Sequence, residues 1–265
     1  MNLENMSIVE IREHVSQLDE IPSELIDRLL ADPRKGVAAI GRQLSAQAAR
    51  REREQARWLE MTTYERQLRE QGKRLLFGID EVGRGPLAGP VVACAVALPE
   101  DFYLPGLDDS KKVPPVLRQA YYEVILRDAL GVGIGAVPAE RIDEINILEA
   151  TREAMRLAVA NAGAEPDVCL IDALHIPDLP CEQVPIVGGD GKSVSIAAAS
   201  IVAKVTRDQL MAEYAKIHPE YGFDKHAGYA TEEHLRALEI HGPCPIHRRT
   251  FGGVKEKVGQ SQSST

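Results

Sequence analysis

FGIDEVGRGPLAGPVVACAVAL, residues 77–98, decides the reading of this chain. Apolar, β-prone runs at 75–79 and 91–98 flank a turn rich in glycine and proline, the pattern of strands joined by a turn. The first run ends in two adjacent carboxylates, Asp80 and Glu81. Adjacent acids at the end of a buried strand are costly unless a positive charge joins them, and a divalent metal is the usual partner. Hard Mg²⁺ or Mn²⁺ takes carboxylate oxygens together with the phosphate oxygens of a substrate. The turn matches neither GxGxxG nor GxxxxGK[ST], and Pro86 removes a backbone donor that a phosphate-binding loop needs. Its glycines instead allow another chain to approach the backbone at 83–85, with Arg84 supplying a cation beside a phosphate.

Outward from this stretch, residues 131–137, 168–171 and 184–187 read as further strands, and 147–162, 195–217 and 232–240 as helices, the second broken at Pro219. Strands interleaved with helices predict an α/β fold, a mixed sheet covered by helices. Two of these runs again deliver an acid: Asp172 after VCLI, and Asp190 in VGGDGKS. Alone, each aspartate reads as a turn former. Together, three apolar runs ending near 79, 171 and 187 each place an acid just past their end, and strands paired in one sheet would gather them. Four clustered carboxylates repel unless metal sits among them, the arrangement that two-metal phosphodiester hydrolysis requires.

Residues 1–72 read as helical throughout, with segments at 7–14, 22–30 and 36–72. Within 42–74, nine Lys and Arg face five Glu; this is a solvated helix laced with charge pairs or, on a sharper reading, a clamp for a DNA backbone. The expected organisation is a helical N-terminal extension over 1–72, a catalytic domain over 73–257 and a disordered polar tail over 258–265. A net charge of −9 argues mildly against a nucleic-acid partner, although a local basic stripe coexists readily with an acidic total. Four cysteines without CxxC spacing read as structural thiols, and seven histidines without HExxH spacing as packing or hydrogen-bonding residues. No apolar stretch reaches the roughly 18–20 residues of a membrane span, and the N-terminus has no secretory-signal pattern; a cytoplasmic protein is expected.

Taken together, DEVGRGPLAGP (80–90), DDSKK (108–112), VCLIDAL (168–174), GGDGK (188–192), SIAAASIVAKVTRD (195–208) and YGFDKHAGYATEEH (221–234) resemble bacterial ribonuclease HII, a type 2 ribonuclease H. The similarity spans about residues 74–251, and the Gly83–Arg84–Gly85 triplet favours this family over ribonuclease HIII. The resemblance implies a ribonuclease H-like fold with a mixed five-stranded sheet, and Asp80, Glu81, Asp172 and Asp190 as the catalytic, metal-binding acids for two Mg²⁺ or Mn²⁺ ions. It further implies that Gly83, Arg84 and Gly85 read a ribose 2′-hydroxyl and that Tyr229 packs on the sugar next to an RNA–DNA junction. The implied partners are RNA–DNA hybrids and ribonucleotide-containing duplex DNA, bound by a monomer. Ser110, Lys111, Lys192, Ser200 and Lys204 are candidate phosphate contacts, whereas Asp208, deep in its helix, reads as structural. Two other classes fit parts of the pattern: a non-catalytic nucleic-acid-binding module, with the acids as caps and turn formers, and a nucleotide-dependent transferase using the glycine turn.

Overall fold

The computed structural model describes residues 3–18 and 21–258; beyond Val258, the tail expected over 258–265 lies outside the described residues. The chain divides into two compact units, Met1–Leu59 and Glu60–Thr265. In the first, α1 (Ile8–Ser16) starts with a reciprocal cap in which Ser7 accepts from the Glu10 amide and the Glu10 carboxylate accepts from the Ser7 amide. It packs with α2 (Ser23–Leu30) and the first half of α3 (Lys35–Met61) around Ile11, Leu29 and Val37. Arg34 ties this unit together by donating to the carbonyls of Leu3 and Met6 and to Asp32, which holds the Asp32 carboxyl down at about 2.

The long helix read over 36–72 is two helices. It breaks at Thr62, and α4 (Thr63–Glu70) follows. Two adjacent β-branched threonines lower helix propensity there, and the Thr63 hydroxyl bonds the Glu60 carbonyl at 2.7 Å. Helix α4 belongs to the second unit, where Leu68 packs against Leu76, Val168, Leu170, Ile186 and Ile196.

The second unit holds β1 (Leu76–Val82), β2 (Val91–Ala97), α5 (Pro115–Asp128), β3 (Gly131–Val137), α6 (Ala139–Asn161), β4 (Val168–Asp172), β5 (Glu182–Ile186), α7 (Val194–Ile217), α8 (Phe223–His226), α9 (Glu232–His241) and α10 (Lys255–Val258). The strands form one mixed sheet in the order β3-β2-β1-β4-β5. β2 runs antiparallel to β1 and β3, while β4 is parallel to β1 and β5. Every residue of β2 is buried, which is why VVACAVA reads as an unbroken apolar run rather than an alternating one. Helix α5 escapes a periodicity reading because only Ile125 is buried along it. α6 bends at Asn146, whose φ of 69° is non-helical and whose side chain caps Leu148 and Glu149; the turns after it are the helix read from residue 147.

Register decides which face each acid takes. Phe77, Ile79 and Ile171 enter the core beneath α6, and Ile79 pairs with Ile171. Because side chains alternate along a strand, Asp80 and Asp172 sit next to each other on the opposite face, the one covered by α7. The ladder also outruns the apolar letters: β1 continues through Asp80, Glu81 and Val82 by pairing with β2, so Asp80 and Glu81 lie within β1 and Asp172 closes β4, while Asp190 follows β5. Gly78 lets α7 lie directly on β1, since a Cβ there would fall 2.0 Å from the Ser195 carbonyl carbon. Gly78→Ala should therefore destabilise the fold by about 3 kcal/mol or more, at or beyond the upper end of ordinary overpacking. Chemical denaturation measures it, and a loss below about 1 kcal/mol would refute this packing.

Candidate active site

Strand ends β1 and β4, with the Gly189–Gly191 turn that follows β5, gather the four acids. Asp172 links them: its Oδ1 accepts from the Gly189 amide at 2.7 Å, and its charge acts on Asp80, Glu81 and Asp190. Burial first, then Glu81 and Asp172, push the Asp80 carboxyl well above the usual carboxylate range. Glu81 is raised by burial and by Asp172, against the pull of Arg84, whose Nη1 lies 3.2 Å from Glu81 Oε1. Asp190 is raised by burial, Asp109 and Asp172, against Lys111. These are the shifts expected of carboxylates that are buried and crowded by like charges, with Arg84 and Lys111 opposing them only in part.

Lys111 stands among these acids. Although partial burial opposes it, the charges of Asp109, Asp190 and Asp80 raise its pKa. Ser110 and Ser200 lie behind the acids, each 5% exposed. Their hydroxyls are 2.9 Å apart, and Ser200 hydrogen-bonds Asp80. A hydroxyl has one proton, so when Ser200 gives its own to Asp80, Ser110 must donate to Ser200. Lys192 donates to the Val187 carbonyl at 2.7 Å and so braces the turn carrying Asp190. Lys204 pairs with Asp208 at 2.6 Å, and Arg118 lies 3.8 Å from the same carboxylate; Asp208 is thus a partner of cations on its own side of α7.

Among the described residues, no group of three or more His, Cys, Asp or Glu side chains is drawn together tightly enough to hold an ion alone. The donor set fits an ion that brings ligands of its own, since Mg²⁺ is typically bound by one or two carboxylates with water and phosphate oxygens completing its shell. Glu81 Oε2, buried without a hydrogen-bond partner, is an oxygen of the kind such an ion takes.

Two arginines with no exposed surface, Arg207 and Arg248, hold the glycine turn. Arg248 donates to the carbonyls of Gly83, Arg84 and Gly89, and Arg207 to those of Ala88, Pro90 and Ala227. A guanidinium keeps its charge even when buried, and backbone carbonyls are what surround it here. Gly83 has φ of +92°, and a Cβ on it would meet Arg207 Nε at 2.2 Å; no other residue fits. Tyr229, 44% exposed, faces the same turn, its Cε1 lying 3.9 Å from where a Gly85 Cβ would stand.

The Tyr229 backbone is held by histidines. Its amide donates to the His226 carbonyl at 3.0 Å, and its carbonyl lies 2.9 Å from His234 Nδ1. Nδ1 must carry the proton, so Nε2 accepts from His247 Nε2, 3.0 Å away. His247 Nδ1 in turn accepts from the Cys244 amide at 2.9 Å. One set of tautomers satisfies every bond, and burial favours it by lowering both histidine pKa values, that of His247 to about 4.

Comparison with known proteins matches this chain to the model of ribonuclease HII over residues 77–254 and to that of the ribonuclease HII N-terminal domain over 7–69. Ribonuclease HII of Bacillus cereus is 48% identical over 256 residues, covering 96% of this chain and 99% of that protein. The chain belongs to the ribonuclease HII family. It is accordingly a ribonuclease H, a hydrolase, and the readings as a binding module or a transferase fall away. Ribonuclease H2 from Pyrococcus horikoshii OT3 shares the fold, with a TM-score of 0.59 at 24% identity over 72% of this chain and 100% of that one. So does Bst-RNase HIII, solved in complex with Mn²⁺, with a TM-score of 0.54 at 16% identity, covering 72% of this chain and 71% of that one. No helix among the described residues is long and apolar enough to cross a membrane.

Sequence reasoning missed Asp109, Arg118, Arg207, Arg248, His234 and His247 as parts of this ribonuclease HII site. Asp109 stood in the quoted DDSKK segment, next to residues singled out. The raised pKa values carry a sign. A carboxyl whose pKa is higher in the fold than in the unfolded chain contributes stability below the ordinary carboxylate range and loses it as pH rises through the raised value. In EDTA at pH 7 the ion-free cluster therefore weakens the fold, and Asp80→Asn should raise Tm by about 2–4 °C per kcal/mol of repulsion relieved. That gain should vanish near pH 4, where the wild-type carboxyl is protonated; thermal scans at both pH values check it, and a lower Tm at pH 7 counts against the cluster.

Proposed function

We propose that this chain hydrolyses the RNA strand of RNA–DNA hybrids and cuts on the 5′ side of single ribonucleotides embedded in duplex DNA, leaving a 5′-phosphate and a 3′-hydroxyl. It would do so as a cytoplasmic monomer supporting ribonucleotide removal in DNA replication and repair. The observation that carries this reading is one juxtaposition: Asp80, Glu81 and Asp190 each lie within the electrostatic reach of Asp172, beside a glycine turn faced by an exposed tyrosine. Acids alone would indicate an ion-dependent phosphodiesterase. The turn and the tyrosine supply a reader for the sugar.

Asp80, Glu81, Asp172 and Asp190 would hold two Mg²⁺ or Mn²⁺ ions, which when bound supply a water of lowered pKa and stabilise charge on the leaving oxygen. The rest falls to the chain. Lys111, in the common field of Asp190 and Asp80, offsets their charge and is placed to steer a phosphate toward them. Arg84, held by Glu81, adds a second cation at the turn. Ser110 and Ser200 orient Asp80 from behind, while Lys192 and Lys204 flank the site from the Asp190 turn and from α7.

Selectivity comes from one hydroxyl. Gly83 and Gly85 leave backbone groups open to a ribose, and a polar site built for a hydroxyl loses its bonds when that oxygen is missing, which discriminates strongly. Because the Gly83 and Arg84 carbonyls are already drawn toward Arg248, the turn is rigid before substrate arrives. Tyr229, fixed at its backbone and free at its ring, packs on the next sugar and tests whether it is DNA.

Asp172→Asn should reduce cleavage of a hybrid by 10³-fold or more, an expectation of order about 4 kcal/mol in the barrier, while hybrid binding stays within about threefold. A gel assay with Mg²⁺ and with EDTA reads the first and fluorescence anisotropy the second; full activity would remove Asp172 from the ligand set. Tyr229→Ala should slow cutting at a single embedded ribonucleotide far more than cutting of a long hybrid. Equal losses on the two substrates would contradict its role at the junction.

A further inference from the structure

Helix α4 reaches the active site through Glu65, a residue only 1% exposed. Its Oε1 accepts from the Ser193 hydroxyl at 2.5 Å and from the Ser195 amide at 3.0 Å, while Oε2 is buried without a hydrogen-bond partner. The first amides of any helix lack partners inside it. In α7, Ser193 caps the Ile196 amide itself, at 3.3 Å; the bond to the Ser195 amide comes from Glu65, 130 residues earlier. A carboxylate at the positive end of a 24-residue helix is electrostatically favoured there, which offsets part of the cost of burying it.

From this cap a continuous path leads to the acids. The Ser193 amide donates to the Gly189 carbonyl at 2.8 Å, and the Gly189 amide donates to Asp172 Oδ1 at 2.7 Å. Asp190 stands between Gly189 and Gly191 in the same turn. On the sheet side, β1 blocks movement of the helix start, because Gly78 lies directly against Ser195 and Ile196. Glu65 ties the same turn to α4. The first turn of α7 is thus held both by the strand that carries Asp80 and by a carboxylate from α4.

We propose that Glu65 is a positioning residue for the hydrolysis: it fixes the start of α7 and, through Ser193 and Gly189, the placing of Asp172 and Asp190. The helical segment ahead of the sheet thereby forms part of the active-site support, beyond any service as a clamp for DNA. This rests on the acids being the ion-binding set. An ordinary helix cap would contribute stability alone, so the two roles separate by experiment.

The test compares Glu65→Ala, Glu65→Gln and Ser193→Ala with the wild type in the full-length chain, well below each Tm. Mn²⁺ binding without substrate is measured by calorimetry, amide hydrogen exchange across residues 189–197 by mass spectrometry, and kcat and KM on a hybrid. Glu65→Ala should weaken Mn²⁺ binding and lower kcat by about 10–100-fold, the range seen when the partners of metal ligands are removed, with KM changed less than about threefold. Exchange at 193–196 should accelerate. Glu65→Gln, which keeps an acceptor at Oε1, should restore all three to within about threefold. A Glu65→Ala protein of lower Tm but unaltered Mn²⁺ affinity, exchange and kcat would overturn the proposal. Should Glu65→Ala not fold, Ser193→Ala decides, since it removes one Glu65 bond and the Ile196 cap: weakened Mn²⁺ binding with faster exchange supports the proposal, and wild-type values overturn it. Wild-type cleavage indifferent to EDTA would instead sink the functional reading, and the exchange data would still report whether Glu65 orders this turn.

Discussion

Repulsion between carboxylates on neighbouring parallel strands is the constraint on which the rest of this molecule turns. Because Ile79 pairs with Ile171, the next residues along β1 and β4, Asp80 and Asp172, are forced side by side on the face beneath α7. Nothing about a sheet favours that. The surrounding structure opposes the repulsion with groups that are themselves held in place: the Gly189 amide on Asp172, the Ser110–Ser200 pair on Asp80, and Lys111 in the common field. Each softens the conflict without removing it, as the raised pKa values of Asp80, Glu81 and Asp190 show. A fold that keeps such a cluster at a stability cost marks it as a candidate functional site.

A second constraint mirrors the first with opposite sign. Arg207 and Arg248 are fully buried, and the partners they take are backbone carbonyls rather than acids. A turn that gives five of its carbonyls, those of Gly83, Arg84, Ala88, Gly89 and Pro90, to two guanidinium groups has little freedom left, and Tyr229 is tied into the same knot by Arg207 through Ala227 and by His234 through its own carbonyl. In the proposed function the acids supply reactivity, whereas the arginines and histidines give rigidity to the part that would read the sugar. Rigid presentation is what discrimination by a single hydroxyl demands.

Much of this was legible in the letters. Asp80, Asp172 and Asp190 each end or follow an apolar run, and that recurrence located three of the strand ends as well as the acids. The absence of GxGxxG and GxxxxGK[ST] patterns, with Pro86, argued against a nucleotide loop. The unread parts share a physical cause. Arg207 sits in a helix and Arg248 in a loop rich in basic letters, so each resembles a solvated charge, and apart from Ala227 the carbonyls that their guanidinium groups bond lie 117 to 165 positions away. Glu65 looks like one acid among many on an exposed helix until its partners, 128 and 130 positions on, are known. Helix α5 buries too little to print a period, and the break at Thr62 needed only one pair of β-branched residues. Local pattern reports which face is wet; it does not report which charge has been carried inside.

The clamp on the glycine turn has a consequence for the order in which the protein comes into being. All four acids have been synthesised once residue 190 is made, but Arg207 and Arg248 come later, and Arg248 stands in the last short stretch of the described chain. A growing chain therefore carries its acids before it carries the two guanidinium groups that hold the glycine turn. Shortened products ending ahead of residue 248 would carry a slack turn, and the cell gains from clearing them quickly.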